Sequence, residues 1–312
     1  MTCRLLTTKK LLFIAVAILI TLNLFTFIIA YPETYTPTPG ITTPGKILAK
    51  DFSAYYVGAW RLWNNPANIY TFGALGGAEP VTPPYPQFYK YLPNFLLFVT
   101  PFLSLGYQQA LLAFDIVQFM LLPLIAYFLY RLLSDKHLAL TFAVMVIALL
   151  LPFPTAQWGF SPSYYWQWGE GQAKVFVTFL LLLSFYLGSR GRPYLSGVVF
   201  AFGFFDPRFG LLAIPLFVMY NLKNLKAATA GAIGTLVLSN LMLLYPGMGV
   251  GFVSMVFGSG VTTPLYYYAF IPFFTLLSLI VINFKELAAI FNCKRIFASF
   301  SGPSETNETK PT

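Results

Sequence analysis

The stretch LLFIAVAILITLNLFTFIIA at residues 11–30 contains no charged residue. At a rise of 1.5 Å per residue, a helix of this length is about 30 Å long, which matches the hydrocarbon core of a bilayer. Arg4, Lys9 and Lys10 precede it. The apolar run exceeds that of a secretory signal and lacks a clear cleavage site, so it predicts an uncleaved membrane anchor with a cytoplasmic N-terminus.

The composition extends this membrane assignment to the whole chain. Of the 312 residues, 57% are apolar and only 9% are charged, with a mean hydropathy of +0.70. A soluble fold of this size is about 25% charged, since much of its surface must face water. These values exclude an ordinary soluble protein and predict a multi-pass protein of the cell membrane.

Further apolar runs predict an all-α, polytopic transmembrane bundle of about eight to ten spans. The run at Tyr91–Leu105 is short and contains two prolines, so we expect a re-entrant or tilted segment there. Basic connectors favour the cytoplasmic side, as does the C-terminus. We therefore expect one transmembrane domain over 1–284 and a cytoplasmic tail over 285–312 that is disordered at its end. The other runs lie at 109–130, 138–153, 173–188, 194–206, 208–220, 227–244 and 265–284.

A long polar segment at 31–91 follows the first anchor and is predicted to lie outside the cell. Its first part is rich in Pro, Thr and Gly, which is typical of irregular structure. From Lys46 to Trp63, aromatic residues recur at helical spacing. This pattern predicts an amphipathic helix lying on the membrane surface.

The run at 194–220 is interrupted by Asp206-Pro207-Arg208. Proline cannot continue a helix, and charges at membrane depth are costly unless they pair or line an aqueous cavity. The sequence therefore predicts a helical hairpin whose apex carries an acid and a base near the outer face.

The charge and cysteine content exclude several classes of site. The net charge of +9 is scattered between apolar runs, which argues against a nucleic-acid partner. Two distant cysteines and one histidine cannot build a zinc centre. We expect no cofactor, although a divalent cation is left open.

Asp51, in KILAKDFSAYYVGAW, is the acid that stands out in the outer segment. A carboxylate near a helix N-terminus compensates the helix dipole, and that structural role would explain its position. A catalytic role is the alternative.

Several motifs in order resemble glycosyltransferase family 87, the polyprenyl-phosphate-mannose-dependent mannosyltransferases of the GT-C superfamily. The likeness begins at Asp-Phe-x-x-Tyr-Tyr (51–56) and runs to about residue 225. It continues through Asn68-Ile69-Tyr70, Tyr91-Leu92-Pro93, Pro101-Phe102-Leu103, Gly171-Gln172 and the break at Asp206-Pro207-Arg208. The chain is shorter than typical relatives.

The resemblance implies that the chain moves a hexose, with mannose expected, from a polyprenyl-phosphate donor to an acceptor on the outer face. The acceptor would be a glycan, a glycolipid or a protein. Asp51 would be the general base, since a carboxylate in hydrogen-bond reach takes the proton of an attacking hydroxyl. No carboxyl is adjacent in sequence for a double displacement, so we expect inversion.

Basic residues on the predicted outer side are candidates to hold the lipid phosphate, because arginine and lysine neutralise phosphate oxygens. Each could equally be an interfacial side chain that reaches toward the headgroups. The candidates are Arg208, Lys174, Lys90 and Arg61.

Sugar and acceptor contacts are expected from aromatic and polar residues, several of them in or near the segment Trp158–Gln172. A membrane-interface aromatic belt explains the aromatics of that segment equally well. The sugar-binding candidates are Tyr55, Tyr56, Glu170, Gln172 and Asp206.

Two other functions fit parts of the sequence. A transporter or lipid flippase often contains charged, broken helices, as at Asp206-Pro207-Arg208, but we find no internal repeat. A catalytically inactive membrane subunit would use the outer segment to bind a partner. Loss of activity in Asp51→Asn would favour the enzyme.

Overall fold

The structure, a computed structural model, describes residues 50–71, 89–132, 152–155, 159–162, 171–258 and 271–292. The predictions for the anchor at 11–30, the first part of the outer segment, the run at 138–150 and the tail after Asn292 lie outside these residues. So does Glu170.

Ten helices make up most of the described chain, in agreement with the all-α prediction. Their order is α1 Lys50–Asn64, α2 Leu96–Val99, α3 Tyr107–Leu132, α4 Lys174–Ser189, α5 Pro193–Gly203, α6 Pro207–Asn221, α7 Leu225–Ser239, α8 Met248–Gly258, α9 Ile271–Ile282 and α10 Phe284–Asn292. Short 3₁₀ turns lie at Pro66–Asn68, Pro93–Phe95, Thr100–Ser104, Leu222–Asn224 and Leu241–Leu244.

Two short strands form the described β structure, which the sequence did not predict. Strand β1, Pro152–Thr155, pairs antiparallel with β2, Gly159–Pro162, and Phe153 faces Ser161 in the register. The hairpin overlaps the end of the expected apolar run at 138–153 and the start of the aromatic segment at 158–172. Consecutive prolines and aromatics at 152–154 favour extended backbone over helix there.

Helix α4 lies at the centre of the bundle and packs against α3, α5, α6 and α9. Three polar side chains tie α4, α5 and α6 together. Ser184 and Ser196 exchange hydrogen bonds with each other's carbonyl oxygens at 2.9 and 2.8 Å, and the Asn221 amide donates to Ser196 Oγ at 2.9 Å. All three residues are buried, so each bond is made where water cannot replace it.

Helices α5 and α7 approach closely through small residues. A side chain added at Gly197 would place its Cβ 1.9 Å from the Ala228 carbonyl oxygen, and one at Gly231 would reach 2.3 Å from that of Tyr194. Small residues at such a crossing let two backbones touch, as in membrane helix pairs.

Helix lengths only partly match the predicted spans. Among the described residues, α3 is the one helix long and apolar enough to cross a membrane. The apolar segment Pro93–Ser104 is a series of short turns and α2. At 1.5 Å per residue it covers about 18 Å, too little for a span, which fits a re-entrant or tilted segment.

The helix predicted at Lys46–Trp63 is present as α1, Lys50–Asn64, but the prediction that it is amphipathic, with one free face, is wrong. Phe52, Tyr55 and Ala59 are fully buried or nearly so, and their neighbours on other faces of the helix are buried too. Aromatic side chains from residues 89–114 cover it, as when Phe52 packs on Phe114 with ring centroids 5.0 Å apart. Helix α1 is therefore a core helix of the described bundle.

The predicted hairpin at 194–220 is confirmed. Helix α5 ends at Gly203 and α6 begins at Pro207, so the Asp206-Pro207-Arg208 sequence lies at the apex. Asp206 caps α6, its Oδ1 accepting the Arg208 backbone N–H at 3.2 Å. Proline at the first helical position and a carboxylate at the N-cap are the features that start a helix there.

Candidate active site

The hairpin apex, the segment after Tyr89, the start of α4 and the face of α1 meet around one small cavity. Its volume is about 10 Å³, which is room for a single water molecule. The lining residues are Tyr55, Tyr91, Ala173, Lys174, Val177, Phe205, Asp206 and Phe209. A hexose ring cannot enter this space, so a sugar would have to lie at its rim.

Arg208 and Asp206 form a side-on ion pair at the apex. Arg208 Nε donates to Asp206 Oδ1 and Nη2 donates to Oδ2, both at 2.7 Å. Asp206 is 3% exposed, whereas 30% of the Arg208 side chain is exposed. The carboxylate is therefore buried beneath the guanidinium, which reaches the surface of the site.

Tyr91 connects this ion pair to α1. Arg208 Nη2 lies 3.4 Å from the Tyr91 hydroxyl and its guanidinium stands over the ring, with Cζ 5.6 Å from the centroid. The hydroxyl of Tyr55, on α1, lies 3.5 Å from that of Tyr91. The Leu92 backbone N–H donates to the Phe205 carbonyl at 3.1 Å, which fixes this segment to the apex.

Asp51 lies one helical turn before Tyr55, so both side chains project from the same face of α1. Burial is the main cause that raises the pKa of Tyr55 and of Tyr91. The Asp51 and Asp206 carboxylates raise the pKa of both tyrosines further, whereas Arg208 lowers that of Tyr91. Asp51 is thus within electrostatic reach of Tyr91. It is only partly buried, and it is not one of the residues that line the cavity.

Lys174 begins α4 and lines the cavity, with 7% of its surface exposed. The N-terminus of α6 faces the same space, through its cap Asp206. Helix N-termini carry partial positive charge and bind anions. Lys174, Arg208 and two helix ends favour an anionic group here, whereas the Asp206 carboxylate, which is paired with Arg208, and the Asp51 carboxylate oppose one.

The other predicted phosphate-binding residues lie elsewhere. Arg61 is 2% exposed, and its Nη1 donates to the backbone carbonyls of Asn68 and Thr71 at 3.1 and 2.8 Å. It closes the turn after α1 and does not line the cavity. Lys90 is exposed beside Tyr91 and is likewise not a lining residue.

The sugar-binding candidates are also divided. Tyr55 lines the cavity, whereas the Tyr56 hydroxyl donates to the Leu105 carbonyl at 2.6 Å and faces away from it. Gln172 is buried two residues before Lys174 but does not line the cavity. Both oxygens of Asp206 accept bonds from Arg208, so the structure gives Asp206 another partner than sugar.

Tyr91 and Phe205 are site residues that the sequence reasoning missed. The Phe205 ring stacks on Phe95 with centroids 4.1 Å apart and forms one wall of the cavity. The motif Tyr91-Leu92-Pro93 and the position of Phe205 directly before Asp206 were the signals that could have found them. In the described part of the chain, no group of three His, Cys, Asp or Glu side chains could hold a metal ion.

Comparison with known proteins gives one match. The sequence model described as glycosyltransferase family 87 matches residues 89–284, more than half of the chain. The matched range includes Tyr91, Lys174, Asp206 and Arg208 and begins after Asp51. No curated protein and no solved structure matches the chain.

Proposed function

The chain belongs to glycosyltransferase family 87 and is a glycosyltransferase, and from that premise we propose that it transfers a hexose, mannose in the first instance, from a polyprenyl-phosphate donor to an acceptor hydroxyl at the membrane surface. Three observations together carry the proposal. Tyr91 and Lys174 line one cavity, Arg208 is bonded to the lining residue Asp206, and Asp51 is within electrostatic reach of Tyr55 and Tyr91.

Asp51 is the general base of the proposed reaction. The acceptor hydroxyl oxygen attacks C1 of the donor sugar while Asp51 takes its proton, and the bond from C1 to the phosphate oxygen breaks. The phosphate leaves with the bonding electrons and remains attached to its lipid. General-base catalysis by a placed side chain contributes about 10²–10⁴-fold in rate.

The leaving phosphate is held by Arg208 and Lys174. Negative charge develops on the leaving oxygen, and a guanidinium and an ammonium at the rim of a water-poor site stabilise it more than water would. The N-terminus of α4 adds its dipole to the same space. These groups supply the counter-charge for a lipid phosphate without a metal ion in the proposed scheme.

The stereochemical outcome is inversion at C1. A double displacement would need a second carboxylate as nucleophile about 5 Å from the base. Asp206 is the second acid of the site, and Arg208 engages both of its oxygens at 2.7 Å. A carboxylate bound in this way is a poor nucleophile, which supports a single displacement.

The membrane setting is part of the proposal. Large apolar side chains stand mostly exposed on the outer faces of the described helices, among them Met120, Leu211, Leu238, Leu244 and Val250. Apolar surface of this extent would be unstable in water and is stable against lipid tails. It supports a bundle that lies in the bilayer together with its lipid-linked donor.

Transfer from radiolabelled polyprenyl-phosphate mannose to candidate acceptors by the purified protein tests the proposal. We expect transfer by the wild type, no transfer from a sugar nucleotide, and a loss of about 100-fold or more in Asp51→Asn. Glu286→Gln is the matched control, because Glu286 is an exposed acid on α10. Equal rates in wild type and Asp51→Asn would exclude Asp51 as the base, and transfer from a sugar nucleotide alone would exclude the lipid donor.

A further inference from the structure

A second, larger cavity lies at the other end of the helical bundle. Its volume is about 430 Å³, and it is lined by Gly188, Ser189, Gly191, Pro193, Met219, Tyr220, Asn221, Leu222, Lys223 and Asn224. This volume is in the range of small-molecule sites, about 300–1,000 Å³. Helix α4 runs from Lys174 at the first cavity to Ser189 at the second. Its 16 residues span about 24 Å, so the two cavities lie about that far apart along the helix axis.

Basic residues surround the second cavity. Lys223 lines it, and Arg190, Arg192 and Lys226 lie within three residues of lining positions and are exposed. None of the ten lining residues is acidic. Glu286, on α10, which packs against α6, is the acid near this end among the described residues. The local charge is therefore positive and suits an anionic ligand.

Helix ends add to this preference. The cavity is lined by Pro193 at the first position of α5 and by Asn224, the N-cap of α7. Neither N-cap residue of these two helices makes a side-chain capping bond. Exposed N–H groups at helix starts bind phosphate oxygens. The C-termini of α4 and α6, which carry partial negative charge, lie at the same end and offset the helix N-termini. The lysine and arginine side chains therefore make the electrostatic potential there positive.

The floor of the cavity is rigid and polar. Asn221 is 3% exposed, and its amide nitrogen donates to Ser196 Oγ and to the Phe217 carbonyl, both at 2.9 Å. Its Oδ1 accepts no hydrogen bond from any described residue. A buried acceptor without a donor is costly, so a donor from water or from a ligand headgroup would stabilise it.

Exposed apolar side chains lie at and beside the cavity. Leu222 lines it, and Tyr194 and Leu195 follow the lining residue Pro193; all three side chains are largely exposed. A soluble phosphate compound would gain nothing from this surface, whereas acyl chains would cover it. Basic pockets between helices bind the headgroups of anionic lipids, and the exposed apolar side chains beside this one would cover acyl chains.

We propose that this cavity binds the phosphate-bearing headgroup of an anionic phospholipid, on the face of the membrane opposite the transfer site. Lys223 neutralises the phosphate, and the acyl chains lie along Leu222 and Leu195. The bound lipid is a structural ligand and takes no part in glycosyl transfer. The proposal is independent of the proposed donor and acceptor, because its readout is binding.

Thermal unfolding of the full-length protein in neutral detergent tests this site. Phosphatidylglycerol should raise the unfolding temperature by several degrees, and phosphatidylcholine or inorganic phosphate should not. Lys223→Gln should weaken the apparent affinity for phosphatidylglycerol about fivefold, the effect of one basic residue on an anionic lipid. Asn224→Phe should block the cavity without a change of charge and remove most of the shift.

Lys90→Gln is the control, because Lys90 is an exposed base beside Tyr91, near the first cavity, and does not line the second one. It should keep the wild-type response. An equal stabilisation by inorganic phosphate or phosphatidylcholine would overturn the proposal, as would an equal loss of affinity in Lys90→Gln and Lys223→Gln. If Asn224→Phe does not fold, Lys223→Gln and the mass of phosphatidylglycerol retained per protein molecule decide the result.

Discussion

Asp206 orients Arg208, the side chain that binds phosphate in the proposed reaction. Its buried carboxylate accepts two bonds from Arg208 and caps α6 at the same time. A planar guanidinium held along one edge by a carboxylate presents a fixed orientation to a ligand, which lysine in the same place would not. Asp206 is therefore a positioning residue in the proposed mechanism.

Asp206→Asn should lower kcat/KM for the lipid-linked donor by about tenfold, because one charge-assisted contact to Arg208 is worth about 1.5–3 kcal/mol and Arg208 both binds the donor phosphate and stabilises the charge that develops on it. Arg208→Lys should lower kcat/KM in the same way, since lysine keeps the charge without the fork. Steady-state kinetics with varied donor measure both. An unchanged kcat/KM in Asp206→Asn would show that the contact between Asp206 and Arg208 does not orient the guanidinium for the donor.

Buried tyrosines around α1 should make the folded protein sensitive to alkali. Burial raises the pKa of Tyr89 well above its ordinary value near 10. Above pH 10 the unfolded chain loses this proton while the folded chain keeps it, so the free energy of unfolding falls as pH rises. Each such tyrosine contributes a slope of about 1.4 kcal/mol per pH unit.

Tyr89→Phe should therefore show a shallower fall of the unfolding temperature between pH 9 and pH 11 than the wild type. At neutral pH the variant should be less stable, because it loses the bond from the Tyr89 hydroxyl to the Leu92 carbonyl at 2.6 Å. Thermal scans across this pH range measure both effects. An unchanged slope would show that Tyr89 ionises alike in the folded and unfolded states.

At the scale of elements, two glycines of α7 differ in how closely they approach α5. Gly231 lies against the Tyr194 carbonyl, whereas Gly234, one turn later on α7, has no atom within 4 Å of the position of an added Cβ. Gly231→Ala should therefore separate the helices and destabilise the protein by about 1–3 kcal/mol. Gly234→Ala should be neutral or stabilise it by up to about 1 kcal/mol, because alanine favours helix.

Unfolding temperatures of these two variants in the same detergent test the helix contact. They differ only in the position of one methyl group on the same helix, so the detergent and the helix propensity cancel. Equal stability of the two variants would show that α5 and α7 do not pack as described.

Elements with strong local signals could be predicted from the sequence, and contacts that depend on the assembled bundle could not. A helix that reaches residue 203 cannot continue through Pro207, so the position of the hairpin apex could be predicted from this one residue. The spacing of the aromatic residues in α1 predicted a helix and showed which of them share one face. It could not show that both faces are covered, because Phe114 and Phe95 lie far along the chain.

The candidate site shows the same division. Asp51, Lys174 and Arg208 could be selected by charge type and by a family resemblance. In the structure Lys174 lines the cavity, and Asp51 and Arg208 are within electrostatic reach of the lining residue Tyr91. Arg61 carries the same charge as Lys174 and Arg208, and nothing in the neighbouring sequence shows that it lies away from the cavity. Its guanidinium is directed inward by two carbonyl oxygens, at residues 68 and 71, whose position depends on the turn after α1.

For the whole molecule, the two cavities at opposite ends of α4 predict which side of the membrane each faces. The basic connector at Arg190–Arg192 and the bases Lys223 and Lys226 are expected in the cytoplasm, since positive residues are retained there. Lys90, next to the candidate active site, is then expected outside.

Cysteine labelling in intact cells tests this orientation. In a background with Cys3→Ser and Cys293→Ser, Lys90→Cys should react with a membrane-impermeant maleimide, and Arg190→Cys should react only after the membrane is opened. Both positions are exposed in the structure, so failure to label reflects the membrane and not burial. Asn224→Cys, in the second cavity, should behave as Arg190→Cys does. Labelling of positions 90 and 190 from the same side would place both cavities on one face, because α4 would then lie along the membrane surface instead of across it.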